Sequence, residues 1–273
     1  MMLADTDVEF LRSLVVRRSG NMLTSGHRYL LETRLTPLAA NAGLPDIQSL
    51  VAELKRIPAK YEDIVVEAMT NNETSFFRDD QLFETLRTDV LPVIVSARNG
   101  TRELSIWSAA SSSGQEAYSI AMTLREHFPQ LDAWNVGILA TDISDEMLRR
   151  TRNGTYSPFE VSRGLPANLL GKYFTKCGER WQANQSLRCV VHSEKVNLTE
   201  AWPARAQFDV VFLRNVLIYF DPAMRTRILN RMHKAIRPDG YLFLGGGETL
   251  LPLNVPFLRE SVGKTVCFRP VAV

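Results

Sequence analysis

The sequence predicts an α/β fold: a doubly wound, mostly parallel sheet preceded by an all-helical N-terminal domain and carrying a small inserted β subdomain. Three observations point to it. After residue 72, apolar strand-like runs alternate with amphipathic helical patterns, which is how a parallel sheet wrapped by helices reads in sequence. One strand-to-helix junction, SIWSAASSSGQEAYSIA at 105–121, passes through a turn made of Ser, Ala and Gly. The first 70 residues show helical spacing with no strand alternation.

In the N-terminal part, Phe10, Leu11, Leu14 and Val15 mark one helix. Leu30, Leu31, Leu35 and Leu38 mark a second, ended by Pro37 and Gly43; Leu50, Val51 and Leu54 mark a third, and Ile64, Val65, Ala68 and Met69 a fourth. This gives a helical domain over 1–75, with the remaining unit over 76–273. Between Arg12 and Arg34 the basic residues are Arg12, Arg17, Arg18, Arg28 and Arg34, against the single acid Glu32. Such a run is either a solvated face or a docking surface for an acidic partner, since Arg pairs carboxylates in a bidentate way.

A helix over Asp80–Ala97, closed by Asn99-Gly100, leads into the alternating part. Strands are expected at 104–107, 136–140, 208–213 and 241–244, and helices at 115–128, 144–152 and 222–236. The last helix has the strongest signals: Asp221 as cap, Pro222 at its first position, Met224, Ile228, Met232 and Ile236 on one face, and Pro238-Asp239-Gly240 beyond its end. Phe257–Arg269 has the pattern of a hairpin turned at Gly263-Lys264. Residues 155–195 break the alternation, with a helix at Ala167–Tyr173 and two short strands around Ala183-Asn184, and are assigned to the inserted subdomain.

The junction at 105–121 is where function enters. A strand, a small-residue turn and a helix N-terminus let a ligand approach backbone N–H groups. The next strand ends in Thr141-Asp142, and an acid at that tip is placed to accept from both hydroxyls of a ribose. Alternatively, Asp142 simply begins the following helix. A pyrophosphate would call for G-x-G-x-x-G, and here only Gly114 is present, so a ligand with adenosine and no phosphates, such as S-adenosylmethionine, fits better.

Composition limits the alternatives. The chain has 273 residues, 45% hydrophobic and 23% charged, with a net charge of +2 that gives no global attraction to nucleic acid or membrane. Cys177, Cys189 and Cys267 lack metal-type spacing and cannot all pair, and His27, His127, His192 and His233 are scattered, so no metal is expected. The apolar run Val210–Phe220 is broken by Arg214-Asn215 and is too short to span a bilayer; with no signal peptide, the expected location is cytoplasmic.

Four motifs then stand in order. They are Asn72-Glu73-Thr74-Ser75-Phe76-Phe77-Arg78; Trp107-Ser108-Ala109 running to Gly114-Gln115-Glu116-Ala117-Tyr118-Ser119; Ala140-Thr141-Asp142-Ile143; and Phe208–Phe220. In this order, and over nearly the whole chain, the sequence resembles the CheR-type chemotaxis receptor glutamate methyltransferases. The resemblance implies a class I S-adenosylmethionine-dependent methyltransferase fold, in which a terminal hairpin closes the sheet. It further implies transfer of methyl groups to glutamate side chains of chemoreceptor cytoplasmic domains, with S-adenosylhomocysteine as product. By motif position, Asn72, Thr74 and Arg78 would contact the cofactor or the reacting methyl region, Glu116 the methionine part and Asp142 the ribose. Asn197 and Leu198 would flank the adenine, and Arg214, Asn215 and Tyr219 would complete the cleft, with Arg78 and Tyr219 as the catalytic pair. The chain departs from the family pattern at Ala117, where Pro is usual, and in having only Gly178 where some members use a Gly-rich turn to bind a receptor-tail peptide. That tether is therefore not carried over.

The chemistry suits these residues. A glutamate side chain, pKa about 4.3, is an anion at neutral pH and needs no general base, and none of the four motifs contains histidine. Arg214, lying in an apolar strand, must find an anion or carbonyls. The competing readings are a methyltransferase for another acceptor and a non-catalytic adapter that keeps the pocket as a ligand sensor.

Overall fold

The computed structural model describes residues 3–23 and 28–272, so His27 lies outside the described residues. Helices α1 (Asp5–Ser19), α2 (Arg28–Asn41), α3 (Ile47–Arg56) and α4 (Pro58–Ala68) pack around Leu11, Leu14, Leu31, Leu35, Leu50 and Val65. Their ends follow from local chemistry. The Asp46 side chain accepts from Ser49 N–H at the start of α3, and Pro58 opens α4, where a missing N–H costs nothing.

All five arginines between Arg12 and Arg34 find partners inside the chain. Arg12 donates to the Leu23 carbonyl (2.9 Å), Arg18 to Glu62 (3.1 Å) and Asp63 (2.8 Å), and Arg34 to the Thr70 carbonyl (2.6 Å). Arg28 pairs with Asp5, and Arg17 lies 3.6 Å from Glu62. The sequence did not show most of these partners, because the matching acids and carbonyls lie in other helices or in the segments between them.

The segment expected as one helix is α5 (Asp80–Thr85), a π-helical turn at 86–90 and α6 (Leu91–Ala97). Pro92 lacks an N–H and its ring crowds the preceding turn, which accounts for the widening. There follow β1 (Glu103–Ala109), α7 (Gln115–His127), β2 (Asn135–Asp142) and α8 (Asp145–Asn153). The insertion holds β3 (Thr155–Tyr156), α9 (Pro158–Ser162), α10 (Ala167–Tyr173), β4 (Phe174–Cys177), β5 (Arg180–Ala183) and α11 (Gln185–Arg188). The chain then returns through β6 (Val191–Lys195), β7 (Phe208–Leu213), α12 (Pro222–Ala235), β8 (Ile236–Leu244), β9 (Phe257–Val262) and β10 (Thr265–Pro270).

Seven strands form one sheet in the order β6-β2-β1-β7-β8-β10-β9, parallel from β6 to β8 and antiparallel at β8–β10 and β10–β9. The β9–β10 hairpin turns at Gly263-Lys264, as its sequence pattern predicts. Every residue of β7 is buried, because apolar layers cover both faces of the sheet.

Two expectations about the insertion are corrected. Its two strands turn at Gly178-Glu179, where Gly178 takes a φ of 62°, and not at Ala183-Asn184, which lead into α11. Residues 191–195 leave the small β3-β5-β4 sheet and form the edge of the main one. VHSEK is paired on one side only and so lacks the continuous apolar run that marks the inner strands.

The helical unit is tied to the sheet by polar contacts near the carboxyl ends of its strands. Glu67 of α4 accepts from Ser144 Oγ (2.9 Å) and Asp145 N–H (3.1 Å) at the start of α8. Asn197 donates to the Arg18 carbonyl at 2.7 Å. Among the described residues no helix is long and apolar enough to cross a membrane.

Candidate active site

From β1 the chain winds outward to β2 and β6, then crosses back to lay β7 on the other side of β1. The crevice at the carboxyl ends of β1 and β7, where winding reverses, is where open α/β sheets bind ligands. A cleft of about 1010 Å³ lies there, open to solvent at its mouth and covered on one side by Ser19, Asn21 and the strand-free segment 70–75. It is lined by all ten residues picked out from the sequence: Asn72, Thr74, Arg78, Glu116, Asp142, Asn197, Leu198, Arg214, Asn215 and Tyr219.

At the end nearest β1 and β2, the Ser/Ala turn folds onto the tip of β2. Ser111 N–H donates to the Thr141 carbonyl (2.8 Å), and Ser112 N–H to Asp142 Oδ2 (2.8 Å). Much of the turn's N–H capacity is thus used within the protein, contrary to the expectation of bare amides facing a ligand. A buried hydroxyl, Ser111 Oγ, lacks a partner among the described residues and borders the cleft. The other oxygen of Asp142 accepts from Ser144 N–H at 3.0 Å. A carboxylate has about four acceptor positions, so two N–H bonds leave capacity for hydroxyls. Burial pushes the Asp142 carboxyl above the ordinary aspartate range, although the Ser144 and Ser112 amides pull the other way.

The backbone here is strained. Six non-glycine residues among those described have positive φ, and five of them, Phe77, Asp79, Ala110, Ser112 and Asn215, stand in the segments that frame the cleft. Such conformations persist where packing over-determines them, and they concentrate at functional sites. Gly114 (φ 91°) shows the constraint directly, since a Cβ there would lie 2.8 Å from Thr151.

The two arginines of the cleft are in opposite states. Arg214, almost wholly buried, donates to Glu116 (2.8 Å) and to the Arg78 carbonyl (2.9 Å) and also pairs with Asp79. Glu116 in turn accepts from Ser108 Oγ at 2.7 Å. Among the described residues, the guanidinium of Arg78 makes one long hydrogen bond, 3.4 Å to the Glu73 carbonyl. Tyr219 lines the same cleft, and its hydroxyl accepts from Asn71 Nδ2 at 2.7 Å. Asn197 has its amide turned to the Arg18 carbonyl and Glu200 (3.0 Å), so its side chain serves structure as well as lining the cleft.

Sequence reasoning missed Glu248, which holds residues 215–217 in place. Its carboxylate accepts from the N–H groups of Asn215 (2.7 Å), Val216 (2.9 Å), Leu217 (2.7 Å) and Gly245 (2.8 Å). The sequence clue was Gly245-Gly246-Gly247-Glu248 directly after a buried strand, an acid beside backbone that can turn tightly. Asn71 and Ser111 were hidden among similar neighbours.

A family model described as CheR methyltransferase, SAM binding domain, matches residues 72–265. Chemotaxis protein methyltransferase 1 of Pseudomonas aeruginosa is 40% identical over 270 residues, covering 96% of this chain and 98% of the relative. Chemotaxis protein methyltransferase Cher2 of Pseudomonas putida is 38% identical over 271 residues, with 96% and 98% covered. Among the described residues no group of three or more side chains could hold a metal ion.

Proposed function

The chain belongs to the CheR methyltransferase family, and from that premise we propose that it methylates glutamate side chains of chemoreceptor cytoplasmic domains. The observation that carries this reading is the contrast between the two cleft arginines. Arg214 is neutralised by Glu116 and Asp79, whereas Arg78 lines the cleft with its guanidinium making one long bond among the described residues. A cation left in that state suits an incoming carboxylate.

The residues present fit S-adenosylmethionine. Asp142 at the tip of β2 suits a ribose, Asn197 and Leu198 lie where a base would pack, and the unpartnered Ser111 hydroxyl gives a further contact. Asn72, Thr74, Glu116 and Asn215 line the remainder and would hold the amino-acid part. When bound, this cofactor supplies an electrophilic methyl group. The chain's own residues then have a modest task, because a glutamate carboxylate is ionised at neutral pH and needs no proton removed. Arg78 holds one carboxylate oxygen, leaving the other to attack, and Tyr219 orients the group through its hydroxyl. The helical unit covers one side of the cleft and so limits the access of water, which favours reaction between an anion and a cation. Fixing the partners in line supplies much of the remaining acceleration.

The test is methyl transfer from labelled S-adenosylmethionine to a purified chemoreceptor cytoplasmic domain. The label should enter the receptor and be released by mild base as methanol, because carboxyl esters hydrolyse there. A base-stable label, or none, overturns the reading.

A further inference from the structure

Tyr219 is held from two directions by parts of the chain outside the α/β sheet. Its backbone carbonyl accepts from Met22 N–H at 2.9 Å, and its hydroxyl accepts from Asn71 Nδ2 at 2.7 Å. Met22 follows α1 and Asn71 follows α4. The backbone leading to Asn71 is itself fixed by the helical unit. Arg34 donates to the Thr70 carbonyl at 2.6 Å, and Asn21 Nδ2 donates to the Met69 carbonyl at 3.0 Å. From the sheet side, Glu248 gathers the N–H groups of residues 215–217, so the turn bearing Tyr219 is anchored as well.

We propose that Asn71 is a positioning residue for methyl transfer: by donating to the Tyr219 hydroxyl oxygen, it turns the phenolic proton toward the acceptor carboxylate. The proposal rests on the reading of Tyr219 given above. A phenol both donates and accepts. Without Asn71 it can present a lone pair to the cleft, which repels an incoming anion. With an amide N–H on that oxygen, acceptance is taken up inside the protein and the proton is what remains to offer. The same bond polarises the hydroxyl and strengthens it as a donor. The helical unit therefore contributes to the reaction itself, through Arg34, Asn21 and Asn71, besides covering the cleft.

The test uses the full chain, S-adenosylmethionine and a purified chemoreceptor cytoplasmic domain, with Asn71→Leu made alone and together with Tyr219→Phe, and Asn71→Asp made alone. Asn71→Leu should lower kcat about tenfold, the scale of one hydrogen bond to a charged group. Asn71→Asp, whose carboxylate draws the phenolic proton to itself, should lower kcat further. In the Tyr219→Phe background Asn71→Leu should have almost no added effect, as expected of residues that act through one another. Affinity for S-adenosylhomocysteine by calorimetry, and Tm, should match the wild type for Asn71→Leu, which a general structural role would not allow. Wild-type kcat in either Asn71 variant, or equal losses with and without the Tyr219 hydroxyl, overturns the proposal. If Tyr219→Phe alone keeps wild-type kcat, the reading of Tyr219 fails and the proposal falls with it. A loss in Tyr219→Phe with none in Asn71→Leu removes only the role of Asn71.

Discussion

The two ends of the cleft are built on opposite plans. Around β1 and β2 most polar groups are bonded to one another: Asp142 to two backbone amides, the Ser112 hydroxyl to the Asn72 carbonyl, and Glu116 to Ser108 and Arg214, with the Ser111 hydroxyl left over. Around Arg78 and Tyr219 the side chains are half-buried, bonded sparsely, and partly held by the helical unit. A small ligand that is the same in every turnover can be met by a rigid, finished surface. An acceptor that arrives as a side chain on another protein needs polar groups still able to change partners. On the function proposed above, this difference separates binding of the methyl donor from handling of the acceptor.

Substitutions that strike one end, both or neither sharpen that separation. Glu248→Gln should do the most damage, because it places an amide NH2 against two backbone N–H donors beneath the turn shared by both ends. We expect a stability loss of roughly 2–4 kcal/mol in denaturant unfolding, together with loss of methyl transfer. Asp142→Asn strikes the donor end alone and should weaken S-adenosylhomocysteine binding by roughly 1.5–3 kcal/mol in calorimetry.

The same carboxyl gives a pH dependence. Burial raises its folded-state pKa, so on acidification it takes up a proton earlier than an ordinary aspartate of pKa about 3.9. The protonated form has lost acceptor capacity, so affinity is fully present above that raised pKa and falls as pH drops through it. In Asp142→Asn this fall should vanish, which assigns it to Asp142 and not to acid unfolding. Arg17→Ala strikes neither end. Its pairing with Glu62 is largely exposed, and its removal should cost less than about 1 kcal/mol and leave cofactor affinity unchanged.

What the sequence made legible follows burial and local chemistry. β7 shows as an apolar run because it is covered on both faces, and α12 because Asp221 accepts from Met224 N–H (2.7 Å) just ahead of Pro222. Residues 191–195 read in sequence as part of the insertion and not as a strand of the main sheet, because an edge strand carries little apolar patterning. Motif order was enough to gather Asn72 through Tyr219 into one cleft, but not to reveal who bonds to whom. That Arg214 takes both Glu116 and Asp79, that Glu248 anchors the 215–217 amides, and that Arg34 supports the segment bearing Asn71 all depend on contacts between distant parts of the chain. The basic run of the N-terminal helices showed the same limit, since its arginines hold this unit together.

The most direct measurement is a pair of assays on Arg78→Ala: calorimetric titration with S-adenosylhomocysteine, and methyl transfer to a chemoreceptor cytoplasmic domain. If the two ends of the cleft divide the work as described, transfer collapses while the titration stays close to wild type. Transfer at the wild-type rate, or an affinity lost in step with activity, contradicts that division.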